Sequence, residues 1–259
     1  MGLTVEGFGL PASGFGLCAR LDAVAAHDPT SSSATTLAQL LSLAVHEFRT
    51  PASVVGGYLR MLQRDTETSL GDRHRKMVEE AEKSCARIVT LIGELSEIAK
   101  LEDPQMPLPQ EPLDLFALAR EVAAETDEAA DRGVQLQPRG AVAGATMEGD
   151  VVRLHRALGA LLRAVLREQQ DQATVVAECR LTRDGTGAAA IIAIAKDDEV
   201  ASALAAAPTA FDEKRGGLGM ALPIARRVIE RHGGRLWSPP SQKQGFGSKS
   251  AVVISIPLA

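Results

Sequence analysis

A stripe of apolar residues between Leu37 and Leu62 constrains the fold of this chain more than any other feature of its sequence. The spacing between successive members alternates between three and four residues, as in a helix packed in a bundle. A break follows at 65–72, and a second stripe of the same kind then continues to Ala99. Together the stripes predict an antiparallel helical hairpin. The first comprises Leu37, Leu41, Ala44 or Val45, Phe48, Ala52, Val55, Leu59 and Leu62, and the second comprises Met77, Ala81, Ser84 or Cys85, Ile88, Leu91 or Ile92, Leu95, and Ile98 or Ala99.

Such a hairpin cannot bury both flanks of its two helices by itself. Association with a second copy solves this economically, because it gives a homodimeric four-helix bundle. We therefore expect the chain to form a homodimer through its hairpin.

The composition of the 259 residues limits both the core and the kinds of partner. Apolar residues make up 45% of the chain but aromatic residues only 3%, so alanine, leucine and valine must build the core. A formal net charge of −5, without a basic cluster interleaved with aromatics, argues against nucleic-acid binding. Cys18, Cys85 and Cys179 are scattered and odd in number, which favours a reducing compartment. Since no apolar run is long enough to span a bilayer, we expect a cytoplasmic protein without a direct membrane span.

The periodicity changes after a proline-rich segment that ends at Pro112. Helix-like and strand-like patterns then alternate, and Asp184 and Gly185 supply a hairpin turn between two strands. This order predicts a mixed sheet covered on one face by helices, so the fold class is α+β, a helical hairpin followed by an α/β sandwich. The expected divisions are a leader at 1–33, the hairpin at 34–103, a linker at 104–112 and the sheet domain at 113–259.

The residues most suited to chemistry lie on the first predicted helix. His46 is off the apolar stripe, so its ring nitrogen is accessible as a nucleophile. Glu47 follows directly and can orient the ring or accept a proton from it. Thr50, one turn further along, can position a water molecule, and Pro51 removes a backbone donor and loosens the helix there.

The string HEFRTP at 46–51, on the first helix of a hairpin, resembles the phospho-accepting H-box of two-component sensor histidine kinases. The resemblance implies that His46 is phosphorylated and that Glu47 is the acid/base for phosphoryl transfer. It also implies that Thr50 serves phosphatase activity towards a response regulator. The hairpin would then be a HisKA-type dimerisation and phosphotransfer domain.

The second half resembles the ATP-binding domain of the same family, a GHKL-type α/β sandwich shared with type II topoisomerases and Hsp90. The stretches that carry this resemblance are EPLDL from Glu111, DVVRLHRAL from Asp150 and GGLGMALPIARRVIERHGGRLW from Gly216. With the hairpin included, the resemblance covers about residues 37–259.

The ATP-binding half departs from the family pattern in the helix that should carry a magnesium-binding asparagine. Ala160 and Ala164 stand where the family has asparagines. Because an alanine cannot coordinate Mg²⁺, the triphosphate loses its main bridge to the protein. Arg163 or Arg167 could instead meet a phosphate directly. We expect no metal site here.

The glycine boxes are also reduced. Asp197 matches the family's adenine-binding aspartate, but Glu199 stands where a glycine should allow close approach of the nucleotide. Gly217 and Gly219 form a remnant glycine pair. Asp197, Gly217 and Gly219 are therefore the expected remnant of a nucleotide site, and the chain requires no cofactor unless this degenerate site still binds ATP and Mg²⁺.

The sequence thus predicts a role in two-component signalling. In the favoured interpretation His46 exchanges a phosphoryl group with an aspartate of a response-regulator receiver domain, as a phosphotransferase, a phosphatase or a pseudokinase. The phosphate would come from that partner or from an upstream kinase. One alternative is an ATP-dependent autokinase with an atypical nucleotide site, and another is a non-catalytic signalling scaffold.

Overall fold

The computed structural model describes residues 29–65, 70–127, 129, 133–169, 172–184, 187–214, 218–240 and 250–258. The predicted leader at 1–33 lies outside the described residues up to position 28. No helix in the described part of the chain is both long enough and apolar enough to cross a membrane.

Two long helices form the predicted hairpin, α1 at Pro29–Arg64 and α2 at Asp72–Glu102. They are in contact where Gly56 of α1 meets Cys85 of α2. The Cys85 thiol donates a hydrogen bond of 3.2 Å to the carbonyl of Ala52, and a Cβ at position 56 would lie 3.3 Å from the sulfur. A glycine at this point therefore allows the helices to pack closely.

The apolar stripe of the hairpin is only partly used within one chain. Val45 of α1 and Ile92 of α2 are buried between the helices. Other members of the same stripes are about half exposed, and these are Leu37, Phe48, Val55 and Leu62 on α1 with Met77 and Ile88 on α2. A single chain therefore leaves a long apolar surface on its hairpin.

The sheet domain contains seven strands and four helices in its described part. The strands are β1 (Glu111–Asp114), β2 (Gln135–Gly140), β3 (Thr146–Gly149), β4 (Thr174–Asp184), β5 (Gly187–Lys196), β6 (Arg235–Trp237) and β7 (Val252–Leu258). The helices are α3 (Leu115–Ala124), α4 (Val151–Arg167), α5 (Val200–Ala205) and α6 (Ala221–Arg231). Five strands form one sheet in the order β2-β4-β5-β7-β6, and β1 pairs separately with β3. Only β2 and β4 run parallel within the main sheet.

The main core lies between this sheet and the helices α3, α4 and α6. Asp150 is the N-cap of helix α4, and its carboxylate accepts a hydrogen bond of 2.9 Å from the backbone N–H of Arg153. Its inward face carries Leu154, Leu158 and Leu161, all fully buried. The predicted fold class, a helical hairpin followed by an α/β sandwich, is confirmed.

The sequence predicted a sheet covered on one face by helices, but the opposite face is also partly covered. Val176, Ala193 and Val253 point to that face and pack against Val200 and Ala203 of α5 in a second, smaller cluster. The central strands are apolar on both faces, so one end of the far face also needs a cover.

The hairpin joins the sheet domain along α6. Arg231 donates hydrogen bonds to the backbone carbonyls of Leu101 and Asp103, at 3.0 Å and 2.7 Å, and so satisfies acceptors at the end of α2. Leu101 itself is buried in the main core of the sheet domain. The last turn of the hairpin is therefore part of the second half of the molecule.

His232, directly after α6, links that helix to the start of α4. Its Nδ1 hydrogen bonds to the carbonyl of Val228 at 2.7 Å, and its Nε2 accepts the N–H of Asp150 at 3.0 Å. Both ring nitrogens are thus engaged with backbone, which is a structural role.

Candidate functional site

His46 lies on the outer surface of α1. Its side chain is 81% exposed, and its Nδ1 lies 3.4 Å from Oε1 of Glu47. This contact occupies one ring nitrogen, and no residue in the described part of the chain hydrogen bonds to Nε2. Because the ring is exposed and held from one side only, another protein can reach it.

Thr50 is exposed one turn further along the same helix. Residues four apart share one face of a helix, so His46 and Thr50 present an imidazole and a hydroxyl to the same partner. Phe48, two residues from each of them, is 58% exposed, but it belongs to the apolar stripe on another side of the helix. Pro51 lies within α1, and the helix continues past it to Arg64.

The antiparallel register of the hairpin sets what lies opposite His46. Cys85 contacts both Ala52 and Gly56, so stepping equally along both helices brings His46 level with residues 91–95 of α2. Glu94 lies within this range, and its Oε2 accepts a hydrogen bond of 3.3 Å from the backbone N–H of Met220. The start of α6 therefore lies beside the hairpin at nearly the same level as His46.

A cavity of about 370 Å³ opens between α2, α4 and α6. Helix α2 contributes Glu94 and Glu97, and α4 contributes Ala160 together with three arginines, Arg153, Arg156 and Arg163. The cavity is therefore lined by both signs of charge, with the acids on the hairpin and the bases on the sheet domain.

Arg153 is neutralised inside this cavity. Its Nε lies 2.5 Å from Glu97 and its Nη1 2.5 Å from Asp150, and the hydrogen bond to Glu97 is the main cause that raises the pKa of Arg153 above its ordinary value. Within the described part of the chain, the structure gives neither Arg156 nor Arg163 a carboxylate partner. Two of the three guanidinium groups therefore remain available to an anion.

Both halves of the chain match known families. Residues 36–104 match the family model of the His Kinase A (phospho-acceptor) domain, and residues 149–259 match that of the histidine kinase-, DNA gyrase B- and HSP90-like ATPases. The chain belongs to the two-component sensor histidine kinases.

Curated relatives agree with this family. The chain is 28% identical over 227 residues to the probable sensor histidine kinase TcrY of Mycobacterium tuberculosis, covering 82% of this chain and 45% of that protein. It is 27% identical to the sensor-like histidine kinase SenX3 of Mycolicibacterium smegmatis over 82% of this chain and 55% of SenX3. For the sensor protein GacS of Pseudomonas syringae the identity is 26%, over 83% of this chain and 24% of GacS. The chain thus spans about half the length, or less, of these relatives.

Among solved structures, full-length ShkA in complex with AMPPNP has the same fold. It superposes with a TM-score of 0.59 at 21% identity, over 85% of this chain and 46% of that one.

The residues of this chain do not fit the Mg²⁺ ion implied by its ATPase-type domain. Ala160 and Ala164 are both buried and offer no ligand atom. The two carboxylates that line the cavity with Ala160 are already engaged, since Glu97 binds Arg153 and Glu94 binds the N–H of Met220. Mg²⁺ prefers free carboxylate and water oxygens, so this cavity is a poor place for it.

The structure does not bring Asp197 to the cavity. Its carboxylate lies 2.6 Å from Nη1 of Arg139, whose Nε lies 2.5 Å from Glu178. Glu178 lies on the same side of β4 as Val176, the side that packs under α5. Asp197 is therefore held on the face of the sheet opposite to α4 and α6.

Of the remnant glycine pair, Gly217 lies outside the described residues. Gly219 has a φ of +63° just before α6, a conformation that favours glycine. A Cβ built there would lie 2.5 Å from a guanidinium nitrogen of Arg87 and 3.3 Å from the carboxylate of Glu94. Gly219 therefore allows side chains of the hairpin to approach the backbone directly.

Reasoning from the sequence missed the groups on α2 that complete this cavity, above all Glu94 and Glu97. A signal was present, because two acids three residues apart share one helix face. The matching arginines of α4 at 153, 156 and 163 also repeat at helical spacing. The sequence does not pair these two faces, since that depends on how α2 docks.

Proposed function

We propose that this chain carries a phosphoryl group on His46 and exchanges it with an aspartate of a response-regulator receiver domain. The observation that carries the proposal is the exposed His46 ring with Glu47 at its Nδ1 and Thr50 one turn away. Membership of the histidine kinases supports the same role. A receiver domain is a folded protein and needs an exposed histidine, which the outer face of α1 offers.

The contact with Glu47 assigns a role to each ring nitrogen. Glu47 faces Nδ1, so Nε2 is the nucleophile that attacks phosphorus in line with the leaving carboxylate oxygen of the receiver. The P–O bond of the acyl phosphate breaks as the N–P bond forms. The proton on Nδ1 stays on the ring, and Glu47 balances the positive charge that develops there. The reverse reaction returns the phosphoryl group to the receiver aspartate.

Thr50 serves the competing hydrolysis. Its hydroxyl lies on the same helix face as the histidine and can orient a water molecule toward the receiver's phosphoryl group. In this role the hydroxyl is a positioning group and forms no bond to phosphorus.

A second copy of the chain is the other partner that we propose. The half-exposed apolar residues of α1 and α2, Phe48 and Val55 among them, form a continuous stripe that a single chain leaves in water. Pairing two hairpins through this stripe buries it in a four-helix bundle.

The experiment starts from receiver domains of the same genome, phosphorylated with ³²P-labelled acetyl phosphate and mixed with the purified chain. We expect acid-labile label on the wild-type chain and none on His46→Gln. Thr50→Ala should still accept label but slow the loss of phosphate from the receiver. If no receiver transfers label and none is dephosphorylated faster, the proposal is wrong.

ATP-dependent autophosphorylation of His46 is the second candidate. It is favoured by the match of residues 149–259 to the ATPase family and by the level of α6 beside His46. It predicts labelling by γ-³²P-ATP that His46→Gln abolishes. Absence of such labelling, with transfer from a receiver intact, would exclude this candidate alone. A scaffold without catalysis would instead leave signalling output unchanged in His46→Gln.

A further inference from the structure

We infer that the cavity between α2, α4 and α6 binds a phosphate-bearing anion without a metal ion, through the guanidinium groups of Arg156 and Arg163 and the backbone at the start of α6. The inference goes beyond the proposed transfer at His46, and either can fail without the other. The observation behind it is that the residues of this cavity do not fit Mg²⁺.

The arginines supply the charge that a metal would otherwise provide. Arg156 and Arg163 line the cavity on either side of Ala160, on one face of α4. The guanidinium of Arg163 reaches along the helix, since a Cβ at Gly159 would lie 3.2 Å from its Nη1. Guanidinium groups bind phosphate oxygens with two hydrogen bonds each and keep their charge at any physiological pH.

The small residues of α4 leave room for these contacts. An alanine at position 160 presents one methyl group where a longer polar side chain would fill the cavity. The volume of about 370 Å³ lies near the lower end of the range of roughly 300–1,000 Å³ that is usual for small-molecule sites.

Two of the three arginines that line the cavity have no carboxylate partner in the described part of the chain. Arg153 is balanced by Glu97 and Asp150, so it contributes little to an incoming anion. Arg156 and Arg163 then face one remaining acid, Glu94. A ligand that displaces Glu94 meets two unbalanced guanidinium groups.

Glu94 marks where an oxyanion sits in this cavity. Its carboxylate accepts the N–H of Met220, just before α6, and lies close to the backbone of Gly219. The N-terminus of a helix favours negative charge through its unpaired N–H groups and dipole. The carboxylate of the hairpin thus occupies a position that a phosphate oxygen can take, and ligand and carboxylate compete for it.

The class of ligand follows from what the cavity lacks. Asp197, the residue matched to an adenine contact, is bound to Arg139 on the far face of the sheet. The cavity therefore selects for phosphate groups and not for a base. Inorganic pyrophosphate and a nucleoside diphosphate are the suitable ligands, and they should bind with comparable affinity.

The test is titration calorimetry of the full chain with pyrophosphate and with ADP, in EDTA and again in excess MgCl₂. We expect binding in EDTA that added Mg²⁺ does not strengthen. Arg156→Gln and Arg163→Gln should each weaken it by about tenfold or more, because each removes a charge-assisted contact. Glu94→Gln should tighten it by about threefold to tenfold, because the competing charge is gone.

Matched controls separate these effects from general changes in charge. Arg183→Gln on β4 and Glu79→Gln on α2 change exposed charges outside the cavity and should leave affinity unchanged. Circular dichroism establishes that each variant is folded. If an arginine variant does not fold, the wild-type comparison of EDTA with Mg²⁺ and the Glu94→Gln titration still decide the matter.

Binding that requires Mg²⁺, or no heat up to millimolar pyrophosphate and ADP, would overturn the inference. So would affinities that neither arginine variant weakens, or a clear preference for ADP that shows recognition of the base. Any of these results leaves transfer between His46 and a receiver untouched, because that assay contains neither ligand.

Discussion

The guanidinium Nε of Arg227 lies 2.5 Å from the carboxylate of Glu102, where α6 runs beside the last turn of the hairpin. Both side chains are 28% exposed, so water only partly screens the pair. Together with the contacts of Arg231, this pair holds the sheet domain against α2. The relative position of the two halves therefore depends on a few charged groups as well as on apolar packing.

Loss of this pair should loosen the docking of α6. We expect Arg227→Ala to reduce stability by about 1–2 kcal/mol, since it leaves a partly buried carboxylate without its partner. Backbone hydrogen exchange in α6 and proteolysis of the 103–110 segment should both become faster. Arg226→Ala is the matched control, because Arg226 forms its ion pairs with Glu213 and Glu230, which lie outside α2. Equal exchange rates in the two variants would contradict this role.

A charge in the apolar stripe of α1 should prevent self-association. Val55 is 52% exposed in one chain, and Val55→Glu would place a carboxylate in the interface of the proposed bundle. We expect light scattering coupled to size-exclusion chromatography to give the mass of one chain for this variant and of two for the wild type. Gln63→Glu, an exposed polar position on the same helix, should remain dimeric. A wild-type chain that is already monomeric at micromolar concentration would refute the dimer.

Removal of the His232 ring should destabilise the sheet domain, because the ring links α6 to the start of α4. His232→Ala breaks two hydrogen bonds to backbone and leaves the N–H of Asp150 without its acceptor. We expect a loss of about 2–3 kcal/mol in the free energy of unfolding measured with urea. His155→Ala, which removes only a partly exposed contact with Glu125, should cost less than about 1 kcal/mol. A similar cost for both would show that the ring of His232 fills space and does not join α4 to α6.

Acid should weaken the pair of Glu178 and Arg139. Burial raises the pKa of Glu178, but hydrogen bonds from Arg139 and Arg180 outweigh it, and the pKa lies below its ordinary value. A lowered pKa means that the ionised carboxylate stabilises the folded state. This contribution is complete above the ordinary carboxyl pKa and is lost as the pH falls through the lowered value.

The matching variant is Arg139→Met. Near neutral pH it should be less stable than the wild type by about 1–2 kcal/mol, a reduced figure because Arg139 is half exposed and Arg180 still holds Glu178. The difference should narrow in acid, because the wild type then loses the same interaction. Urea unfolding at several pH values measures this, and a difference that stays constant with pH would contradict it.

The hairpin could be predicted from the sequence because its signal is local and repeats many times. The apolar residues from Leu37 to Leu62 repeat every three or four positions over several turns, and an α-helix places residues with that spacing on one face. Asp150 similarly marks the start of α4, since a capping aspartate before an apolar periodic run is a local signal. Burial on both faces of the sheet was harder to predict. A short apolar run such as the one in β4 is compatible with a sheet that is covered on one face and with a sheet that is covered on both.

The surroundings of the site could not be predicted to the same degree. His46 and Thr50 are one turn apart on one helix, so their shared face follows from helical geometry alone. The contact of Asp197 with Arg139 instead requires the strand order β2-β4-β5, which no local pattern specifies. Likewise, Glu94 reaches Met220 only once α2 and α6 have docked.

The burial of Leu101 has a consequence for how the molecule unfolds. This residue ends the hairpin in sequence, yet its side chain completes the core of the sheet domain. A sheet domain produced by cleavage just after Leu101 would have a cavity in its core. The hairpin produced by the same cleavage would expose the apolar side chain of Leu101 to water. A rotation of α2 about its own axis would therefore displace a side chain of the sheet-domain core directly, because no linker separates α2 from that core.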